Sequence, residues 1–346
     1  MSSAIVVAIP ARNEAASIGA CLRALADESG TGQQIAAVAL FANNCTDGTI
    51  AAARSQALPF PLHVVAADLS PERAHIGHAR RGATDAAFEC VRKMGLDDAV
   101  IACTDADSRV APGWLDALLG AFDGTVDAVC GAIDLDGPLA PALSEKLASE
   151  AAYAEVLARM ADSMDPIRHD PWPNHIWSWG ANIALRASAL AAVGGTPLVA
   201  LAEDRALHAA LLLHDIPIRH SLDVRVRTSS RMHGRAPGGL ADLMQTYALD
   251  RSALADFALE PAALAWERAQ RRGIARAKFG NSGGFGAWWA ALEADDPRLQ
   301  PQRVALVDIP AETVRLKDRL SAAERRSDTP ASADASAIPL RAPTLK

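Results

Sequence analysis

A chain of 346 residues, 50% hydrophobic and 22% charged, has the make-up of a soluble globular protein with room for one large domain or one domain plus an appendage. Its net charge of −7 argues against a general nucleic-acid grip. The five cysteines (Cys21, Cys45, Cys90, Cys103 and Cys130) are scattered, odd in number and without a Cys-x-x-Cys pair, which argues against a disulfide framework and a zinc site and fits a reducing cytosol. The amino terminus enters a strand almost at once with no basic leader, and no apolar run is long enough to cross a bilayer, so a cytoplasmic location is expected.

Residues 4–9, apolar and β-branched, are predicted to form a first strand stopped by Pro10. Residues 15–26 then place Ile18, Cys21, Leu22 and Leu25 on one helical face. A second buried strand over 35–41 ends in the turn formers of 43–48, and an Ala-rich helix follows over 49–56. A third strand over 62–66 leads to a long helix over 76–94 that carries Ala79, Ala83, Ala86, Ala87 and Val91 inward. Residues 100–103 are a short apolar run suited to a buried strand, and it runs out at Asp105 and Asp107. Side chains two apart on extended backbone point the same way, so these carboxylates can converge on one ion. Their hard oxygens suit Mg2+ or Mn2+, with substrate phosphates completing the shell. The alternative is a loop in which Asp107 or Ser108 merely caps the helix predicted over 114–122. A further strand is expected over 126–133. Strands alternating with helices imply a parallel sheet with right-handed crossovers, a doubly wound α/β domain whose ligands bind at the carboxyl ends of the strands.

The second half turns helical over 144–160, with Leu147, Ala151, Ala154 and Leu157 on one side. Residues 165–180, rich in Pro and Trp, cannot form a regular element. Trp172, Trp177 and Trp179 within them are either core anchors or a wall that binds sugar rings or apolar groups. A strand over 181–185, a short helix over 187–193, a helix over 203–214 and one or two strands over 216–227 follow. Helices are expected over 242–257 and 261–278. Beyond about Ser321 the Ser, Ala, Pro and Asp content predicts a disordered tail.

Four stretches, taken in order, resemble family-2 glycosyltransferases with the GT-A fold. They are Ile9-Pro-Ala-Arg-Asn-Glu14 after the first strand, Asn43-Asn-Cys-Thr-Asp-Gly-Thr49 after the second, Thr104-Asp-Ala-Asp-Ser108 after the fourth, and Glu203-Asp204 opening a helix about a hundred residues later. The resemblance spans roughly residues 4–240. It implies a Rossmann-like, mostly parallel sheet flanked by helices over 1–240, with a helical carboxyl-terminal extension over 241–320 and a tail over 321–346.

That resemblance also implies an activity, the transfer of a sugar from a nucleotide-diphospho-sugar to an acceptor. The donor would lie over the strand ends against Pro10, Arg12, Glu14, Asn43, Arg80 and Asp105, with Mn2+ or Mg2+ bridging its diphosphate to Asp105 and Asp107. Asp204 would be the base of an inverting reaction, and Glu203 would orient it or hold the acceptor. The alternative for that doublet is a charge cluster that stabilises a helix start. His233 would complete the metal's coordination, and if it does so while Asp204 is not the base, the reaction retains configuration. Gly180-Ala-Asn182 matches the acceptor-side loop, with Asn182 bonding the sugar and Trp177 and Trp179 beside it. One departure is Asn43, which stands where the family usually has an Asp that accepts from the nucleotide base. An amide both donates and accepts, so the preferred base can differ. Glu14 is then the candidate for the ribose or base, or else a carboxylate stabilised by a helix N-terminus.

Although the chain is acidic, Arg219, Arg225, Arg227, Arg231 and Arg235 fall within seventeen residues, opposed by Asp223 alone. The last two lie in the glycine-containing loop over 228–239, and their planar forks suit a leaving diphosphate. The acceptor is a small molecule, a glycan or a lipid. Arg268, Arg271, Arg272, Arg276 and Lys278 beside Trp266 and Ile274, with the aromatics of 283–289, either form a face that lies on the inner surface of a membrane or a solvated helix with one apolar side. Other readings are a non-catalytic nucleotide-sugar scaffold and a sugar-phosphate nucleotidyltransferase. The latter would need a Gly-rich loop where this chain has Ile9-Pro-Ala-Arg-Asn-Glu14.

Overall fold

Uninterrupted apolar runs become the centre of the sheet. β1 (Ile5–Ala11) and β2 (Ile35–Asn43) are buried almost throughout, and with β3 (Leu62–Ala67) and β4 (Val100–Cys103) they pair in parallel in the order β3-β2-β1-β4. The structure, a computed structural model, describes residues 4–29, 35–235, 237–250, 252–280 and 283–327. Past β4 the sheet continues through β5 (Ser108–Val110), β6 (Ala128–Asp136), β7 (Ile183–Arg186) and β8 (Ile218–Ser229), in the spatial order β7-β6-β8-β5.

β6 and β8 are parallel, whereas β7 opposes both β4 and β6, and β5 opposes β8. The sheet is therefore mostly parallel, with two reversed strands. The reversal of β7 has a local cause. Ile183, its first residue, pairs with Cys103, the last of β4, because the segment before β7 lies over the strand ends and the chain can re-enter the sheet only downward.

Alternation along β1 divides the core. Val7 and Ile9 face α1 (Ile18–Glu28), the short α2 (Thr49–Arg54) and, further along the sheet, helix residues Trp114, Leu115 and Leu118. Val6 and Ala8 face the opposite layer, which contains α3 (Ile76–Lys93). The helix bearing Trp114 is α4 (Trp114–Ala121), and the next is α5 (Pro141–Met164). α6 (Ala187–Ala192) and α7 (Glu203–Leu213) join α3 on its side of the sheet. The expected α/β sheet flanked by helices is present, and so is the helical carboxyl-terminal extension.

That extension comprises α8 (Leu240–Leu249), α9 (Ala262–Phe279), α10 (Phe285–Asp295) and α11 (Ile309–Ser327). Its core enlists α5, through Tyr153 and Leu157 against Met244, Tyr247, Trp266 and Leu316. Several expectations change here. α8 stops at Leu249 rather than running to 257, because Asp250 turns back to accept from the backbone and hydroxyl of Ser252. α10 and α11 were not foreseen, and neither was β5. α11 carries Leu316 and Leu320 four apart on a buried stripe, so the region beyond Ser321 is helical to Ser327. The remainder of the expected tail, 328–346, lies outside the described residues.

The arginines of α9 are paired with carboxylates. Arg268 pairs with Glu260 and Glu293, Arg271 with Glu267 and Asp296, and Arg272 and Arg276 both with Asp165. Phe285 and Trp289 are buried and stacked. These groups make ion pairs and ring contacts within the chain, while Lys278 stays exposed. Among the described residues no helix is long and apolar enough to cross a membrane.

β6 is pinched at Gly131, where its register with β8 shifts. A Cβ there would sit 2.2 Å from Asn182 Nδ2 and 2.5 Å from the carbonyl oxygen of Val224. Gly131→Ala is expected to lower stability by about 1–3 kcal/mol in urea unfolding. An unchanged midpoint would contradict this packing.

Candidate active site

The parallel strands end beneath a cavity of about 570 Å³. Pro10 and Arg12 from the β1 end, Asn43 from β2, and Asp105 and Asp107 beyond β4 all line it. The loops after β1 and β2 hold each other. Asn13 has a left-handed backbone (φ 56), which Asn tolerates, and its Oδ1 accepts from the backbone N–H of Thr46 at 2.8 Å. The N–H of Glu14 donates to the Thr49 hydroxyl at 2.7 Å.

Asp105 and Asp107 both reach the cavity, though not by strand alternation. They sit in a turn between β4 and β5, closed by Ser108 N–H on the Asp105 carbonyl at 3.0 Å. Each carboxylate has an arginine. Arg80, from α3 and only 3% exposed, donates through Nη2 to Asp105 at 3.0 Å, through Nη1 to the Gly180 carbonyl at 2.8 Å, and through Nε to Glu203 at 2.8 Å. Arg231, in the loop after β8, forks onto Glu14 at 2.6 and 2.9 Å and also lies 2.9 Å from Asp107. Arg235 is 3.6 Å from Glu14. Burial first, and then the charge of Asp105, push the Asp107 carboxyl up to about 6 against the pull of Arg231.

The two acidic residues at the start of α7 part company, as adjacent residues at a helix start must. Ala202 before them is held at φ 56, a strained backbone for a residue with a Cβ. Glu203 is buried and paired through Oε1 with Arg80, and it too lines the cavity. Asp204 faces the cavity, with Oδ2 accepting from Gly180 N–H at 3.1 Å and Oδ1 from its neighbour's N–H. Trp177 and Trp179 stack with ring centroids 5.1 Å apart and form one wall. Trp172 is exposed and does not line the cavity.

Two expected site residues are not brought in. Asn182 is buried, and both ends of its amide bond within the fold. Oδ1 accepts from Trp114 Nε1, and Nδ2 donates to the carbonyls of Ala132 and Val224 at 2.8 Å each. It satisfies the pinched strand and does not line the cavity. His233 is exposed and does not line the cavity, and Arg231 occupies the approach to Asp107 instead. Glu14 lines the cavity but is held by arginines. Sequence reasoning missed the far wall, where Ile133, Leu135, Phe257 and Arg303 join Leu147 and Ala151 of α5. The apolar side read on that helix was a partial signal; Phe257 and Arg303 had none.

Residues 6–140 match the model of glycosyl transferase family 2. The matched segment runs from β1 past the end of β6 and contains three of the four stretches that carry the resemblance; Glu203-Asp204 lies outside it. No curated protein matches the sequence. Among solved structures, the chain is similar to the mannosyltransferase PcManGT from Pyrobaculum calidifontis in complex with GDP-Man and Mn2+, at 17% identity and a TM-score of 0.48 over 92% of this chain and 87% of that one. It is similar to S. aureus TarS 1-349 in complex with UDP-GlcNAc, at 14% identity and 0.47 over 94% and 92%. It is also similar to glucosyl-3-phosphoglycerate synthase from Mycobacterium tuberculosis in complex with Mn2+, UDP and phosphoglyceric acid, at 16% identity and 0.41 over 73% and 80%.

The raised Asp107 gives the site a pH signature. Its carboxyl ionises near 3.8 when unfolded and at about 6 when folded, so folding opposes its charge. The ion-free protein should lose stability as pH rises from about 4 to about 6, by up to roughly 3 kcal/mol, and no further from this group above that. Relative to wild type, Asp107→Asn should lack this component in urea unfolding across that range. Parallel pH profiles for the two proteins would contradict it.

Proposed function

We propose that this chain is a metal-dependent glycosyltransferase that moves a sugar from a nucleotide-diphospho-sugar to a hydroxyl acceptor with inversion, Asp204 acting as base. The observation that carries the reading is that Asp105, Asp107 and Asp204 open onto one cavity beneath a stacked tryptophan pair. Two hard carboxylates on one turn fit Mn2+ or Mg2+, and the guanidinium of Arg231 against Asp107 marks the same demand for positive charge. The ion, held by Asp105 and Asp107, would supply neutralisation of the departing diphosphate.

The chain's own residues would do the rest. Asp204, fixed by Gly180 N–H, takes the acceptor's hydroxyl proton as its oxygen attacks the sugar's anomeric carbon. The bond from that carbon to the phosphate oxygen breaks, and its electron pair leaves with the diphosphate. Arg231 and Arg235, on the loop above the cavity, turn from Glu14 to the phosphates and balance the developing charge. Pro10, Arg12 and Asn43 contact the nucleotide, and Trp177 and Trp179 present an apolar face to the acceptor. Glu203 acts through Arg80 as a positioning residue.

The test is a panel of nucleotide sugars incubated with Mn2+, with release of nucleoside diphosphate as the readout. Wild type should turn over at least one donor, and Asp107→Ala should abolish the metal-dependent rate. Asp204→Asn should bind that donor as wild type does and lose about 10²–10⁴-fold in kcat for transfer. A wild-type protein inert to every donor, or an Asp204→Asn variant at full rate, would overturn the reading.

A further inference from the structure

The scattered cysteines and lack of a Cys-x-x-Cys pair argued against a zinc site, but folding assembles one thiol and two imidazoles from three separate elements. Cys130 of β6, His208 of α7 and His220 of β8 bring a ligand atom each to within 4.8 Å of one another. None of the three lines the cavity. The Nε2 atoms of His208 and His220 are 3.0 Å apart, against roughly 3.3 Å for two nitrogens on a tetrahedral zinc ion with Zn–N bonds of about 2.0–2.1 Å.

The support around His220 is what a ligating histidine needs. Its Nδ1 lies 2.7 Å from Asp170 Oδ2, while Asp170 Oδ1 accepts from the backbone N–H of His220 at 2.8 Å and from Arg219 Nη1 at 3.1 Å. A carboxylate holding the proton on Nδ1 leaves the Nε2 lone pair aimed at Cys130 and His208. Cys130 is buried and free of any disulfide. The nearby His175 is not a fourth ligand: its Nδ1 accepts from Trp177 N–H at 3.1 Å, so its proton stays on Nε2.

We propose that Cys130, His208 and His220 bind a borderline-soft transition-metal ion of the Zn2+ class, with solvent in the fourth position. Thiolate and imidazole suit such an ion and disfavour Mg2+, so the site is chemically distinct from the carboxylate pair at the cavity. On binding, the Cys130 thiol loses its proton to solvent, and the proton of His208 resides on Nδ1. The site acts as a clasp. His208 lies one helical turn beyond Asp204, and Asp170 belongs to the segment that carries Trp177 and Trp179, so the ion ties α7 and that segment to β6 and β8.

The experiment uses the full chain, stripped with a chelator and titrated with Co2+ and then Zn2+. Folded wild type should take up about one equivalent with tetrahedral visible bands and a near-ultraviolet thiolate-to-cobalt charge-transfer band, both displaced by Zn2+. The band should persist in Asp107→Ala, which disables the carboxylate pair, and vanish in Cys130→Ser and in the less buried His208→Gln. The absence of a charge-transfer band in folded wild type would overturn the proposal and leave Asp170, His220 and His208 as a hydrogen-bonded chain only. A band that survived Cys130→Ser would overturn it too. Neither result bears on the glycosyltransferase reading, which rests on other residues.

Discussion

A buried guanidinium must find partners for its charge and its donors, and Arg80 finds them on three separate stretches of chain. From α3 it reaches the Asp-x-Asp turn at Asp105, the tryptophan segment at the Gly180 carbonyl, and the start of α7 at Glu203. The fit leaves no slack: a Cβ on Gly180 would lie 2.5 Å from Arg80 Nη2. Because an unpaired carboxylate in that position would cost several kcal/mol, the three stretches cannot drift apart independently. The elements that would hold a donor, an acceptor and a base are thereby set on one frame.

Around this fixed joint the cavity carries more carboxylate than its own arginines fully relieve. Glu14, Asp105, Asp107 and Asp204 all line it. Arg231 serves Glu14 and Asp107 together, and Asp107 is still pushed up to about 6. Arg80 is locked by packing, whereas Arg231 is partly exposed on a loop. The first is suited to hold geometry. The second is suited to exchange partners when a cation and a diphosphate arrive.

Much of the frame was legible because its signals are local. The run Val100–Cys103 is a buried strand with the bounds its apolar residues suggest, and the loops after β1 and β2 announce themselves by Pro, Asn, Asp and Gly. The converging carboxylates were found, though the reason given for them was wrong, since a turn rather than extended backbone presents them. What was illegible depends on partners far away in the chain. Asn182 was expected to bond a sugar only because Gly180-Ala-Asn182 resembles an acceptor-side loop; the irregular pairing of β6 with β8 takes its amide instead. Asp170 and His220 are separated by fifty residues, and no pattern in either neighbourhood foretells the other. α11 escaped notice because its apolar stripe is thin and lies in a mostly polar sequence.

The central claim, that the two turn carboxylates form a cation-dependent diphosphate site, is tested most directly by calorimetry of a nucleoside diphosphate with and without Mn2+. Wild type should bind it with Mn2+ and lose most of that affinity when the ion is removed, and the double variant Asp105→Ala/Asp107→Ala should show no Mn2+ enhancement. Binding of equal strength with and without the ion, or an enhancement that persists in the double variant, would contradict the account.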